Sequence, residues 1–330
     1  MLAFFALPAL LGLGLILNLN DDDSDDDRPE DPPEPTDTSM DTLLVPDDVQ
    51  SFHGSNDDDV IVARDEGGFI TGRGGDDTIT GSDNTDDIAG RDGDDVIDSG
   101  GGNDRVWGDY GDDIINLGNG ADRGIGGDGN DNIDGGAGDD NISGRNDDDS
   151  IYGGAGNDTI SGGAGDDWIF LGTGNDSVPY DSDDAGDDTI DGGAGNDFIQ
   201  DGAGFNQLYG SDGNDTIDAW DNDNSADTVY GGWGDDRLTL NNGDLATGGE
   251  GRDLFNLTYT NDPGPPAVVI TDFDTDEDLL AVDYYAEDPL EMVYDPDREA
   301  VLLQRAGLSF GILEGLTEAD IPNITLVEYG

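Results

Sequence analysis

Cysteine and lysine are absent from this sequence, and histidine occurs once, at His53. Without thiols the fold can use neither disulfides nor a thiolate metal site. A single imidazole rules out an H-E-x-x-H zinc helix and makes zinc a poor match in general. Only 11 arginines face 80 acidic residues, for a net charge of −69. No basic patch remains to hold a phosphate backbone, so nucleic acid is excluded as a partner. Apolar residues are scarce as well, at 33% with 7% aromatic. A chain with so little to bury would ordinarily stay disordered, so something besides hydrophobic burial must supply its stability. Carboxylates and backbone carbonyls are plentiful, and these are ligands for hard cations. Calcium, which accepts irregular shells of about six to eight oxygens, suits them better than magnesium, which demands a near-ideal octahedron.

Four segments follow one another along the chain. Residues 1–20 form a hydrophobic segment in which Leu2 to Leu19 carry no charge. Its length is at the short end for a membrane span, and it lacks the basic start and small-residue cleavage site of an export signal. Three readings stay open: a membrane anchor through residues 2–19, an atypical export signal, or an unstructured or self-associating terminus. Residues 21–50 are an acidic linker with Pro29, Pro32, Pro33 and Pro35, extended by self-repulsion.

The third segment, residues 54–256, is periodic. With Gly54 as position 1, a nine-residue frame runs through fourteen units to Pro179, skips Tyr180 to Ser182, continues from Asp183 to Asp218, skips Ala219 to Asp221, and ends at Asn256. Of 22 units, the one at Leu240 to Thr247 is a residue short; position 6 is Asp in 19 and position 8 is Ile, Val, Leu or Phe in 20. Gly135 to Ser143 and Gly153 to Ser161 are clean copies. Glycine predominates at positions 1, 2 and 4, as expected where a loop needs positive φ. The polar-aliphatic-polar triplet closing each unit reads as a short half-buried strand.

The repeated pattern G-G-x-G-x-D-x-U-x resembles the glycine- and aspartate-rich RTX family of exported calcium-binding proteins. The resemblance implies an all-β fold, a right-handed parallel β-roll with two nonapeptides per coil and calcium held in the loops between coils. It also implies that the position-6 aspartates are the side-chain ligands: Asp59, Asp77, Asp86, Asp95, Asp104, Asp113, Asp122, Asp131, Asp140, Asp149, Asp158, Asp167, Asp176, Asp188, Asp197, Asp215, Asp227, Asp236 and Asp253. Loop carbonyls would complete each shell. Export by a type I secretion machinery, directed by the C-terminal end, is a further implication. Gly68 and Asn206 replace the Asp, Leu245 occupies its place in the short unit, and Gly124 replaces the core aliphatic, so sites touching those units are expected to be incomplete. The three-residue insertions are expected to bulge from the coil or to shift its stacking.

Energetics give the calcium a structural role. Ordering nine residues costs on the order of 9–18 kcal/mol of backbone entropy, one buried Ile returns about 2–3 kcal/mol, and strand hydrogen bonds add about 0.5–1.5 kcal/mol each. The metal-free balance is unfavourable even before the carboxylates repel one another. Such a chain is expected to stay unfolded in a low-calcium cytosol and fold outside the cell, on the order of 15 ions serving about eleven coils.

Residues 257–330 regain apolar runs and read as a C-terminal β cap and secretion-signal region: antiparallel strands with a hairpin turn at Asp295 to Arg298. The acidic cluster from Asp272 to Asp283 has EF-hand-like spacing but Glu277 where that loop needs Gly, and reads as a solvated turn. Gly307 to Gly311 fits G-x-S-x-G without the downstream His that chemistry requires. The function expected is therefore non-catalytic: a secreted or cell-surface calcium-binding repeat protein whose surface or matrix partner is unnamed. The alternatives are an RTX-family enzyme with an unrecognised site or an ice- or surface-binding module. His53 reads as a cap on the first coil, and the four tryptophans as packing on the faces of the roll or stacking on sugars.

Overall fold

The computed structural model describes residues 42–45, 51–63, 67–180, 185–200, 202–220, 225–241, 243–257, 266–282, 289–305 and 308–327. The hydrophobic segment 1–20 and nearly all of the linker 21–50 lie outside these residues. Two compact units divide the chain, Met1–Gly162 and Gly163–Gly330.

In the first unit, strands of two to seven residues fall alternately into two parallel sheets. One sheet takes Val60–Val62, Thr78–Ser82, Val96–Gly102, Ile114–Asn116, Asn132–Ala137 and Ser150–Ala155; the other takes Ser51–His53, Phe69–Gly74, Asp87–Asp92, Arg105–Tyr110, Arg123–Asp128 and Asn141–Asn146. Each strand pairs with the one 18 residues on, Ile61 opposite Ile79 and Ile79 opposite Ile97. Two nonapeptides therefore make one coil of a parallel β-roll. The alternation of the triplets sends position 8 inward. Ile61, Ile79, Ile97, Ile115, Ile133 and Ile151 form one core column, each at most 1% exposed. Phe52, Ile70, Ile88, Val106, Gly124 and Ile142 align as the second. Gly124 leaves no hole. Leu117, at a position where the repeat carries Gly, is fully buried, and its Cδ1 lies 2.8 Å from where a Cβ on Gly124 would sit. That unit has exchanged its large and small residues.

The second unit repeats the design with variable coil length. Ile169, Ile190, Leu208, Val229, Ala246 and Ile270 stack in register in one sheet, and Val178, Ile199, Ile217, Leu238, Phe255 and Leu280 in the other. Steps of 21 residues at Ile169 to Ile190 and Leu208 to Val229 show that the insertions are absorbed without a shift of register. Both columns continue beyond Asn256. Val268–Ile270, Leu279–Val282 and Thr325–Val327 run parallel to the roll, contrary to the antiparallel reading of these segments. Their apolar alternation is that of the repeat triplets, but longer and irregular spacers hide it. Among the described residues, antiparallel pairing is confined to Glu291–Asp295, Ala300–Arg305 and Leu308–Glu314, with the first two joined at the hairpin Pro296 to Glu299. Leu308–Glu314 then returns to the roll through Val269 opposite Ile312.

Leu117→Ala is expected to cost about 2–5 kcal/mol in denaturant unfolding with calcium present, as for other large-to-small core changes. Gly124→Val alone should also destabilise, by collision with Leu117, whereas the double variant L117A/G124V should recover most of both losses. Additive losses in the double variant would contradict the exchange.

Candidate metal centre

Position 6 is the first residue of each unit to turn inward after the loop, and all nineteen aspartates there are buried, between 1% and 5% exposed. They stack in rows a coil apart, each bonded to the next through the backbone. In the first unit the amide N–H of Asp59 donates to Asp77 Oδ1 (2.7 Å), Asp77 to Asp95 (2.8 Å), Asp95 to Asp113 (2.8 Å), Asp113 to Asp131 (2.8 Å) and Asp131 to Asp149 (2.7 Å). The second row runs from Gly68 through Asp86, Asp104, Asp122 and Asp140 to Asp158. In the second unit one row joins Asp167, Asp188, Asn206 and Asp227, and the other joins Asp176, Asp197, Asp215, Asp236 and Asp253.

Three members of these rows were missed in the sequence. Asp244, not Leu245, serves the short unit: it is fully buried and its Oδ1 accepts the Asp227 N–H at 3.1 Å. Counting nine residues misplaced it because the deleted residue lies before it in the loop. Asn206 keeps the row intact, its Oδ1 accepting the Asp188 N–H at 2.9 Å; the ladder needs an acceptor, and a charge is not required for that. Asp278 extends the second row, accepting the Asp253 N–H at 3.0 Å while 5% exposed. The acidic cluster it belongs to is thus a solvated turn only in part: Asp274, Asp276 and Glu277 are exposed, while Asp278 is buried in the row. Asp272 accepts the N–H groups of Gly248 and Gly249, both at 2.9 Å, and ties that turn to the roll.

Oδ1 is used by the ladder; Oδ2 is the atom left over. At Asp77, Asp95, Asp113, Asp122, Asp131, Asp140, Asp197, Asp215 and Asp236 it is buried without a hydrogen-bond partner. It faces the position-1 glycine of its own unit: a Cβ on Gly72, Gly90, Gly108 or Gly126 would collide with Oδ2 of Asp77, Asp95, Asp113 or Asp131. Position 1 is glycine for that reason and not for positive φ, which the structure reserves for positions 2 and 4, as at Gly100 (92°) and Gly102 (130°). Where serine follows, as at Ser55 and Ser82, its N–H and hydroxyl donate to Oδ2 of Asp59 and Asp86 instead.

Burial without a counter-charge, with like charges in adjacent coils, pushes these carboxyls far above the usual Asp range. Asp77, Asp95, Asp104, Asp131 and Asp158 rise to about 7 and Asp113 and Asp122 to about 8, burial being the largest cause throughout. Asp140 reaches about 10, where Asp158 and Asp122 add to burial. In the second unit Asp197 and Asp236 rise to about 6 and Asp215 and Asp253 to about 7, again by burial first. A row of orphaned carboxyl oxygens, with carbonyls such as Gly90 O and Gly108 O close to the Oδ2 of Asp77 and Asp95, is a donor set for a hard divalent cation, which binds in exchange for the protons. Among the described residues no three acidic or imidazole side chains converge on one point. Each candidate site instead offers carboxylates from successive coils together with backbone oxygen.

A further row escaped the sequence reading. At position 5, Asp58, Asp76, Asp94 and Asp112 accept the N–H of the next coil at 2.9–3.1 Å, in the direction opposite to the buried rows. Each interface between these coils is thus stitched from both sides.

A family model described as the RTX calcium-binding nonapeptide repeat (4 copies) matches residues 65–97, 89–124, 118–151, 125–159, 143–178, 182–199, 192–226 and 223–244. Among solved structures, a subunit of the Azotobacter vinelandii mannuronan C5-epimerase is 26% identical, covering 46% of this chain and 82% of its own, with a TM-score of 0.27. A hyperactive, Ca2+-dependent, β-helical antifreeze protein from an Antarctic bacterium is 17% identical, covering 72% of this chain and 80% of its own, with a TM-score of 0.34. No curated protein matches the chain.

The raised pKa values set a pH dependence for the metal-free state. Protons bind the folded rows more tightly than the unfolded chain, whose Asp groups titrate near 3.9. In chelator the roll should therefore gain stability as pH falls from about 8 towards 4, and lose it as pH rises through the same window. Circular dichroism at fixed chelator concentration across that range reads the effect; a signal that weakens on acidification would contradict it.

Proposed function

The chain belongs to the RTX calcium-binding nonapeptide repeat family, and from that premise we propose that it is a non-catalytic repeat protein which folds on binding calcium outside the cell. The observation that carries this reading is the buried, partnerless Oδ2 of successive position-6 aspartates. The proposed ligands are the nineteen position-6 aspartates, with Asp244 and Asp278 added and Asn206 as a neutral member. The ladder bonds through Oδ1 hold each side chain in place, and the position-1 glycine keeps Oδ2 open. Bound calcium would supply the positive charge that these rows lack. Folding and binding are then one equilibrium, and the free energy of binding is the free energy of folding.

Release through a type I secretion machinery fits this scheme, since the export of an unfolded chain requires a folding trigger that is scarce inside and abundant outside. Extracellular calcium modules bind at about 10⁻⁴ to 10⁻³ M, which places the trigger in that range. Among the described residues no helix is long and apolar enough to cross a membrane. Residues 1–20, proposed as a hydrophobic terminal segment, lie outside them.

In chelator at neutral pH, circular dichroism should report coil, and millimolar calcium should restore the β signal while magnesium at the same concentration does much less. Asp131→Asn keeps the acceptor for the Asp113 N–H and removes a buried charge. It should raise the calcium midpoint by roughly two- to tenfold yet ease folding in chelator. Asp131→Ala loses both functions and should be worse in either condition. A full β signal in chelator at pH 8, or an unchanged midpoint in both variants, would overturn the assignment.

A further inference from the structure

One edge of the first unit breaks the repeat pattern in a consistent way. Arg73, Arg91, Asp109, Gly127 and Arg145 stand in register, one per coil, at position 2. Position 2 carries a positive φ, and glycine is its ordinary occupant. Here arginine and aspartate hold φ of 91°, 97°, 84° and 90°, four of the seven non-glycine residues with positive φ among those described. Glycine would relieve the strain at each, so a strained side chain in place of glycine marks a position that does something other than fold the chain.

Beside this edge lies a cleft of about 170 Å³. Trp107 forms part of its wall half-buried, and Tyr110, 60% exposed, stands at its mouth. Arg91 and Arg145 line it from the strained column. The Arg91 Nε lies 3.9 Å from Asp109 Oδ2, and Asn146 Nδ2 donates to Asp128 Oδ1 at 2.8 Å, which fixes acceptors next to the guanidinium donors. Asp92 completes the polar lining, so two arginines meet three aspartates and the wall is slightly acidic. In a chain of net charge −69 such a cleft does not gather anions.

We propose that this cleft binds a neutral saccharide, one ring at a time. Its composition is what a pyranose presents in reverse. An indole and a phenol offer flat apolar surface to the C–H face of a ring, while planar guanidinium donors and carboxylate and amide acceptors suit vicinal hydroxyls, each of which both donates and accepts. The volume accommodates a single ring, and the exposed mouth at Tyr110 leaves room for a chain to continue into solvent. None of these side chains belongs to the buried aspartate rows, although they stand on the same loops, where the charges of Asp109 and Asp128 reach Asp95, Asp113 and Asp131.

The test uses the full chain in millimolar calcium, titrated with glucose, galactose, mannose, N-acetylglucosamine and their β-linked tetrasaccharides, with glucuronate as the charged counterpart. Calorimetry and tryptophan fluorescence should find at least one neutral sugar bound with a Kd of about 1 mM, the scale of a shallow single-ring site. Trp107→Ala should weaken it at least about tenfold while leaving calcium-induced β structure unchanged by circular dichroism, a control that separates loss of the site from loss of the fold. Arg91→Gly and Arg145→Gly should each weaken binding and raise the melting temperature together, a pairing that a purely structural role for these arginines does not produce. Absence of binding by every neutral sugar, tighter binding of glucuronate than of glucose, or full binding by the Trp107→Ala variant would overturn the proposal.

Discussion

One carboxylate per nonapeptide, shut away from water and flanked a coil above and below by others of the same sign, is the constraint on which this structure rests. A buried charge without a partner is among the most expensive features a fold can carry. Here it recurs along every row. The hydrogen bond from the preceding coil's amide to Oδ1 offsets part of the cost, and the same bond sets the vertical register of the roll. What it leaves, a line of buried and uncompensated Oδ2 atoms, is the part that calls for a cation. Geometry and charge are thus divided between the two oxygens of one side chain. Asn206 illustrates the division, since it supplies the first without the second.

This division explains why much of the architecture was legible in the sequence and some of it was not. The aliphatic at position 8 and the Asp at position 6 recur because each coil must repeat the burial of the last, and that periodicity can be read without coordinates. The reason for position-1 glycine could not be read in the same way, because glycine serves two different needs in these loops. At positions 2 and 4 it supplies a left-handed backbone; at position 1 it makes room for an oxygen. Composition reports the residue and not which need it meets.

The same limit applies at the irregular places. Asp244 and Asp278 are in register in space but out of step in number, since a loop one residue shorter or seven longer than the usual 18-residue coil still returns its acceptor to the row. A nine-residue frame is a count, whereas the ladder is a matter of position. The exchange of Leu117 and Gly124 was hidden likewise: each looks like a defect in its own column, and only their contact shows them to be one substitution. Beyond Asn256, the triplets that continue both columns lie among strands of the opposite sense, and their spacing no longer announces them.

Coils of 17, 18 and 21 residues all keep the rows in line. Loop length is thereby uncoupled from stacking, and the two places where three residues were gained are natural splice points. A foreign peptide grafted between Tyr180 and Ala185 would be displayed at a defined height on the roll, with the acceptor row indifferent to what the graft contains.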